Sequence, residues 1–128
     1  MTEEAKVRVK PRVLLVEDTV YLARLYEKFL QDEDYDLVHV ETGAEAFQAL
    51  EHKMPDAVLL DLVLPDMSGL DILKSISERK LPVSVVIISA HGSVDVAVQA
   101  MRYNAFDFLT KPFTAERLMV TLRNALER

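Results

Sequence analysis

The chain contains no cysteine and no tryptophan, and only three glycines among 128 residues. Without cysteine there is neither a disulfide framework nor a thiolate metal site. No apolar run approaches the roughly 20 residues needed to cross a membrane as a helix, and no stretch reads as a secretory leader, so a cytoplasmic location without membrane association is expected. Positive charge is also scarce. Fifteen Lys and Arg stand against twenty-one Asp and Glu, for a net charge of −6. Gripping a nucleic-acid backbone requires clustered cations, so direct nucleic-acid binding is not expected, and any DNA-related role would fall to another domain.

What is present describes one domain. Half of the residues are hydrophobic and 28% are charged, which excludes a disordered chain. Residues 1–10, polar and charged without a core pattern, read as a lead-in; residues 11–128 carry the patterned domain.

Within that domain, Ala57-Val58-Leu59-Leu60-Asp61-Leu62 is a short apolar run between Pro55 and Pro65, too short for an ordinary helix and suited to a strand buried on both faces. Arg12 to Val16 is a second such run and ends at Glu17-Asp18; Val83 to Ser89 is a third and ends in a hydroxyl. Leu37 to Val40, with polar His39 inside it, suits a sheet edge, and Phe106 to Thr110 is a last strand leading into Lys111-Pro112. His39 and His52 read as surface residues, and Phe106 and Phe108 as ordinary strand alternation at period two.

Helical periodicity fills the intervals. Leu22, Leu25, Tyr26, Phe29 and Leu30 mark the first helix. Thr42 and Glu45 have capping-box spacing ahead of Ala46, Phe47, Ala49 and Leu50. Ser68 precedes Leu70, Leu73 and Ile76; Ser93 precedes Val94, Ala97, Val98 and Met101; Leu118, Met119, Leu122, Ala125 and Leu126 mark the closing helix. Met101, Tyr103 and Ala105 are candidates for an exposed apolar patch.

Five alternating strand and helix pairs require crossover connections, hence a doubly wound, five-stranded parallel α/β sheet with five helices. The two other strongly apolar strands should flank the Asp61 strand, which the order 2-1-3-4-5 satisfies.

In such a sheet, ligands bind beyond the carboxyl ends of the strands, where this order brings Glu17, Asp18, Asp61, Ser89 and Lys111. Neighbouring carboxylates raise one another's pKa, so a cation belongs to the site, and all-oxygen surroundings with water available suit Mg²⁺. Mg²⁺, an ammonium and a hydroxyl around one carboxylate describe phosphoryl transfer, with Asp61 as nucleophile. Taken singly, each residue has a plainer reading: Glu17-Asp18 as acids near a helix N-terminus, Asp61 as a turn carboxylate, Ser89 as a strand-end hydroxyl and Lys111 as a solvated loop charge.

VLLVEDT, LLDLVLPDMSGLD, VVIISAHGS and AFDFLTKPF, in this order, resemble the response-regulator receiver domain of two-component signalling, and the likeness runs from Pro11 to Arg128. It implies a signalling domain rather than a turnover enzyme. In it Asp61 accepts a phosphoryl group from a histidine kinase or histidine phosphotransfer protein. It implies Mg²⁺ held by the side chains of Asp18 and Asp61, by Glu17 through water and by the Val63 carbonyl. Ser89 would move to the phosphoryl oxygens, Lys111 would pair with them, and Lys111-Pro112 would be cis. The switch position, often Tyr in this family, is Phe108, so ring movement there rests on packing; Val63 and His91 occupy the positions that tune dephosphorylation.

HGSVDVAVQAMRYNAFDFLTKPF resembles in particular receivers of NtrC-type regulators of σ54-dependent transcription, including the quorum-sensing LuxO group. That implies ATPase and DNA-binding output domains in a longer chain and a possible homodimer; excised and stand-alone receivers both fit the sequence. Three rival readings are weaker. A dehalogenase-like phosphohydrolase expects D-x-D-x-T, whereas Asp61 is followed by Leu62-Val63-Leu64. A flavodoxin-like nucleotide binder needs a glycine-rich phosphate loop that three glycines do not form. A phosphate-independent interaction module has no use for the full set Asp18, Asp61, Ser89 and Lys111.

Overall fold

The computed structural model describes residues 10–127, so the expected lead-in lies, except for Lys10, outside the described residues. In chain order the elements are β1 (Arg12–Val16), α1 (Val20–Phe29), β2 (Asp36–Val40), α2 (Gly43–His52), β3 (Ala57–Asp61), α3 (Gly69–Glu78), β4 (Ser84–Ser89), α4 (Val94–Arg102), β5 (Asp107–Thr110) and α5 (Ala115–Glu127). All neighbouring strands pair in parallel, and the sheet order is β2-β1-β3-β4-β5, as expected.

The order follows from where apolar side chains can be covered. Strand alternation sends Val13, Leu15, Ala57, Leu59, Val86 and Ile88 to one face, where Ala23 and Tyr26 of α1, Leu30 just after it, and Leu118, Leu122 and Ala125 of α5 close over them. Leu14, Val16, Val58, Leu60, Val85 and Ile87 project to the other face, under Ala46 and Leu50 of α2, Ile72, Leu73 and Ile76 of α3 and Ala100 of α4. Only strands covered on both sides can be apolar throughout, so β1, β3 and β4 occupy the centre and the more polar β2 and β5 the edges.

Helix starts are set locally. Thr42 accepts from the Glu45 amide while the Glu45 carboxylate returns to the Thr42 amide, completing the expected capping box. Ser68 and Ser93 cap α3 and α4 by accepting from Leu70 and Val96.

Several side chains lie elsewhere than their spacing suggests. Leu25 leaves 39% of its surface exposed, and α1 buries Ala23 instead. Phe106 precedes the first ladder residue of β5 and packs in the cluster beneath α1 and α5, whereas Phe108 packs on the opposite face, so the two do not share one side of a strand. Ala105 is buried in the core and is no part of an exposed patch. Tyr103 is half-buried, with the Lys74 ammonium 5.7 Å from its ring centre. The exposed apolar stripe is instead Val94, Val98 and Met101, at 78%, 50% and 52% exposure, all on α4.

Candidate functional site

Strand register builds the site. Val16 lies opposite Leu60, which brings Glu17, the next residue, level with Asp61; the Glu17 amide donates to the Val40 carbonyl at 3.1 Å, extending the β1–β2 ladder by one rung. Asp61 lies opposite Ile88, so Ser89 stands one rung further out; Thr110 lies opposite Ser89 and Lys111 follows it. Lysine has the reach to return from that outer rung. Its Nζ lies 2.6 Å from Glu17 Oε1 and 2.8 Å from Asp61 Oδ2.

The remaining carboxylate oxygens are also engaged. Glu17 Oε2 accepts from the Thr19 amide at 3.2 Å and Asp61 Oδ1 accepts from the Val63 amide at 3.0 Å. Glu17 is completely buried and Asp61 nearly so, whereas Asp18 is exposed and has no hydrogen-bond or ion-pair partner among the described residues. Glu17, Asp18 and Asp61 each offer an oxygen within 4.8 Å of the other two.

Burial pushes the Glu17 carboxyl above its ordinary range; the hydrogen bond from Lys111 opposes this and the Asp61 carboxylate adds to it. Burial also disfavours the Lys111 ammonium, but hydrogen bonds to Asp61 and Glu17 outweigh that and hold its pKa above the usual lysine value. Against three carboxylates, one ammonium leaves two negative charges, which a divalent cation balances. The donors are hard oxygens with one arm open to water, a set that fits Mg²⁺.

The other expected residues surround this cluster. Ser89 is fully buried, but its Oγ accepts from the His91 amide at 3.0 Å and makes no hydrogen bond to the carboxylates. Phe108 is half-buried, and a Cβ added to Gly92 would stand 3.3 Å from its ring. Val63 exposes 59% of its surface. The Lys111-Pro112 peptide is cis, as expected. The following Phe113 stacks on Tyr26 with ring centres 4.9 Å apart, and burial pushes the Tyr26 hydroxyl up to about 12.

Two supports escaped the sequence reading. His39, read as a surface residue, is half-buried, and its Nε2 donates to the Glu17 carbonyl at 2.8 Å. A polar residue in the strand beside the acidic pair was the available signal. Gly69 begins α3 directly against Asp61, where a Cβ would collide with the Asp61 carbonyl oxygen. Only the absence of a side chain lets the helix start there.

Residues 13–123 match the response regulator receiver domain family. The chain is 46% identical over 114 residues to the regulatory protein LuxO of Vibrio cholerae serotype O1, covering 89% of this chain and 25% of that protein. It is 35% identical over 114 residues to the DNA-binding transcriptional regulator NtrC of Escherichia coli, covering 89% of this chain and 24% of that one. The chain thus spans about a quarter of the length of these relatives. A crystal structure of the signal receiver domain of a putative LuxO repressor protein from Vibrio parahaemolyticus superposes with a TM-score of 0.91 at 50% identity, covering 94% of this chain and 92% of that one. Family match, sequence relatives and fold agree, and the chain belongs to the response-regulator receiver domains.

Proposed function

We propose that this receiver is a phosphorylation-controlled switch in which Asp61 accepts a phosphoryl group from a histidine kinase or histidine phosphotransfer protein. The observation that carries the reading is Lys111 bridging Asp61 and Glu17 from the far side of the sheet, with Asp18 beside them. A carboxylate oxygen of Asp61 attacks phosphorus, the bond from phosphorus to the donor nitrogen breaks, and the imidazole leaves with its electron pair and takes a proton. Lys111 is already placed to pair with the incoming oxygens. Mg²⁺, held by Asp18 and Asp61, by Glu17 through water and by the Val63 carbonyl, would supply neutralising charge for the transferring group.

Once Asp61 is modified, the Ser89 hydroxyl leaves the His91 amide for the phosphoryl oxygens, and Phe108, with no hydroxyl of its own, follows by packing alone. The face formed by α4, β5 and α5 is thereby remodelled, which changes self-association as a homodimer or contact with an output domain. The exposed stripe Val94, Val98 and Met101 supports that location. Val63 has no polar side-chain atom to orient a water, which favours slow phosphate loss. In a longer chain the outputs would be an ATPase and a DNA-binding domain regulating σ54-dependent transcription in the cytoplasm, and this domain itself would bind neither nucleic acid nor membrane.

The test is intact mass after incubation with Mg²⁺ and acetyl phosphate, alongside Asp61→Asn. A single phosphoryl adduct, lost with EDTA and with the substitution, is expected. No adduct on the wild-type chain would overturn the reading in favour of a phosphate-independent interaction module.

A further inference from the structure

The loop between β3 and α3, Leu62 to Ser68, is tied down at three places. At its start the Val63 amide donates to Asp61 Oδ1. Across its base the Gly69 amide donates to the Leu62 carbonyl at 2.8 Å, and Val63 and Ser68 form an isolated antiparallel bridge. Its tip is tied to a different element. Asp66 Oδ1 accepts from the Gly43 amide at 2.8 Å and Oδ2 from the Ala44 amide at 2.9 Å, while the Met67 side chain fills the space that a Cβ on Gly43 would need.

Gly43 and Ala44 are the first two residues of α2, whose leading amides have no partner inside the helix. That helix already has a complete capping box in Thr42 and Glu45, so it has its start signal without Asp66. What only Asp66 supplies is a bidentate link between α2 and a loop some twenty residues further on. The two amide hydrogen bonds also hold the Asp66 carboxyl below its ordinary range, which favours the charged form that accepts both of them.

The loop held in this way carries Val63, whose amide already binds the acceptor aspartate and whose carbonyl is the expected cation ligand. A ligand-bearing loop that is ordered beforehand loses less freedom when the cation arrives, which is how residues beyond the ligands tune metal affinity. We propose that Asp66 is a positioning residue for the cation site: by clasping the start of α2 it holds the β3–α3 loop in the arrangement in which Asp61 and Val63 take up a divalent cation. This inference rests on the Mg²⁺ reading above.

The test is a MgCl2 titration of the ¹⁵N-labelled chain, followed by backbone amide shifts, for wild type, Asp66→Ala, Asp66→Asn and Thr42→Ala. Asp66→Ala is expected to weaken Mg²⁺ binding about tenfold. Asp66→Asn, which keeps one accepting oxygen, recovers part of the affinity. Thr42→Ala removes the other cap of α2 without touching the loop and leaves Mg²⁺ affinity unchanged while lowering the melting temperature. Wild-type affinity in Asp66→Ala, or an equal loss in Thr42→Ala, would overturn the inference and leave Asp66 as a helix cap. A wild-type chain whose amides do not respond to Mg²⁺ would overturn the cation reading as well, an outcome separate from the other two. The same spectra report whether each variant is folded.

Discussion

α3 and α4 lie over the same face of the sheet, begin at a serine cap, carry an aspartate in the first turn and have the same kind of apolar periodicity. Yet α3 buries Gly69, Ile72, Leu73 and Ile76, whereas α4 buries Ala100 alone and turns Val94, Val98 and Met101 outward. Periodicity establishes that a helix has an apolar side; it does not establish that the protein's own core covers that side. α4 is held by few buried groups and begins just after the segment that carries Ser89 and His91. It is the helix that another surface can most readily compete for, and local opening is expected to concentrate there.

Three measurements test whether α3 and α4 differ in this way. The largest effect is expected in the core of α3: Ile72→Ala should cost about 4 kcal/mol by urea denaturation, because the residue is fully buried and the substitution leaves a cavity in the core. On α4, Val98→Ala, which removes one carbon fewer from a half-exposed position, should stay within about 0.5 kcal/mol. Equal losses would mean that α4 is covered in solution, by self-association at the concentration used.

An intermediate effect is expected at the two glycines near the helix starts. Gly69→Ala drives a methyl into the Asp61 carbonyl, a backbone atom that cannot step aside, and should cost about 2 kcal/mol in thermal melts. A Cβ on Gly92 meets the Thr110 hydroxyl at 2.8 Å and the Phe108 ring at 3.3 Å, both side-chain atoms, so Gly92→Ala should cost less than about 1 kcal/mol. A Gly92→Ala penalty as large as that of Gly69→Ala would show that the segment leading into α4 is as firmly seated as the start of α3.

The smallest effect is that of pH on the charged rim beside α3. Glu17 has its folded pKa raised above the ordinary value of 4.5, mainly by burial, so the stability it contributes is fully present below 4.5 and is lost as pH rises through the folded value. Glu17→Gln should remove that loss, so that stability measured by urea denaturation falls less, or rises more, with pH above 4.5 than in the wild type. Val98→Ala, on exposed α4, should leave the wild-type curve unchanged. A Glu17→Gln curve that keeps the wild-type slope would place the titration elsewhere.

Most of the architecture was legible because it rests on local rules. Buried parallel strands are apolar throughout, caps need hydroxyls or carboxylates, and crossovers have one hand; these put β1, β3 and β4 at the centre, a constraint that the observed order satisfies, and mark Thr42, Ser68 and Ser93 as caps. The positions of Glu17, Asp61, Ser89 and Lys111 at strand ends were legible for the same reason. The partners of those side chains were not. Nothing in the spacing tells that Lys111 divides itself between Glu17 and Asp61, that Ser89 is held by the His91 amide, or that His39 reaches the Glu17 carbonyl. Such contacts join residues from 2 to 94 positions apart, and which of several nearby donors prevails depends on distances that only packing sets.

A doubly wound parallel sheet, and the rim at which its acidic, hydroxyl and ammonium groups would meet, could be read from the residues alone, because hydrophobic period and strand-end chemistry are properties of neighbouring residues. Which apolar faces are covered and which face solvent, and how the β3–α3 loop is fastened to α2 through Asp66, emerge from the packed fold. Burial and bidentate hydrogen bonding are relations between elements, and an element's own residues specify its half of such a relation but not its partner.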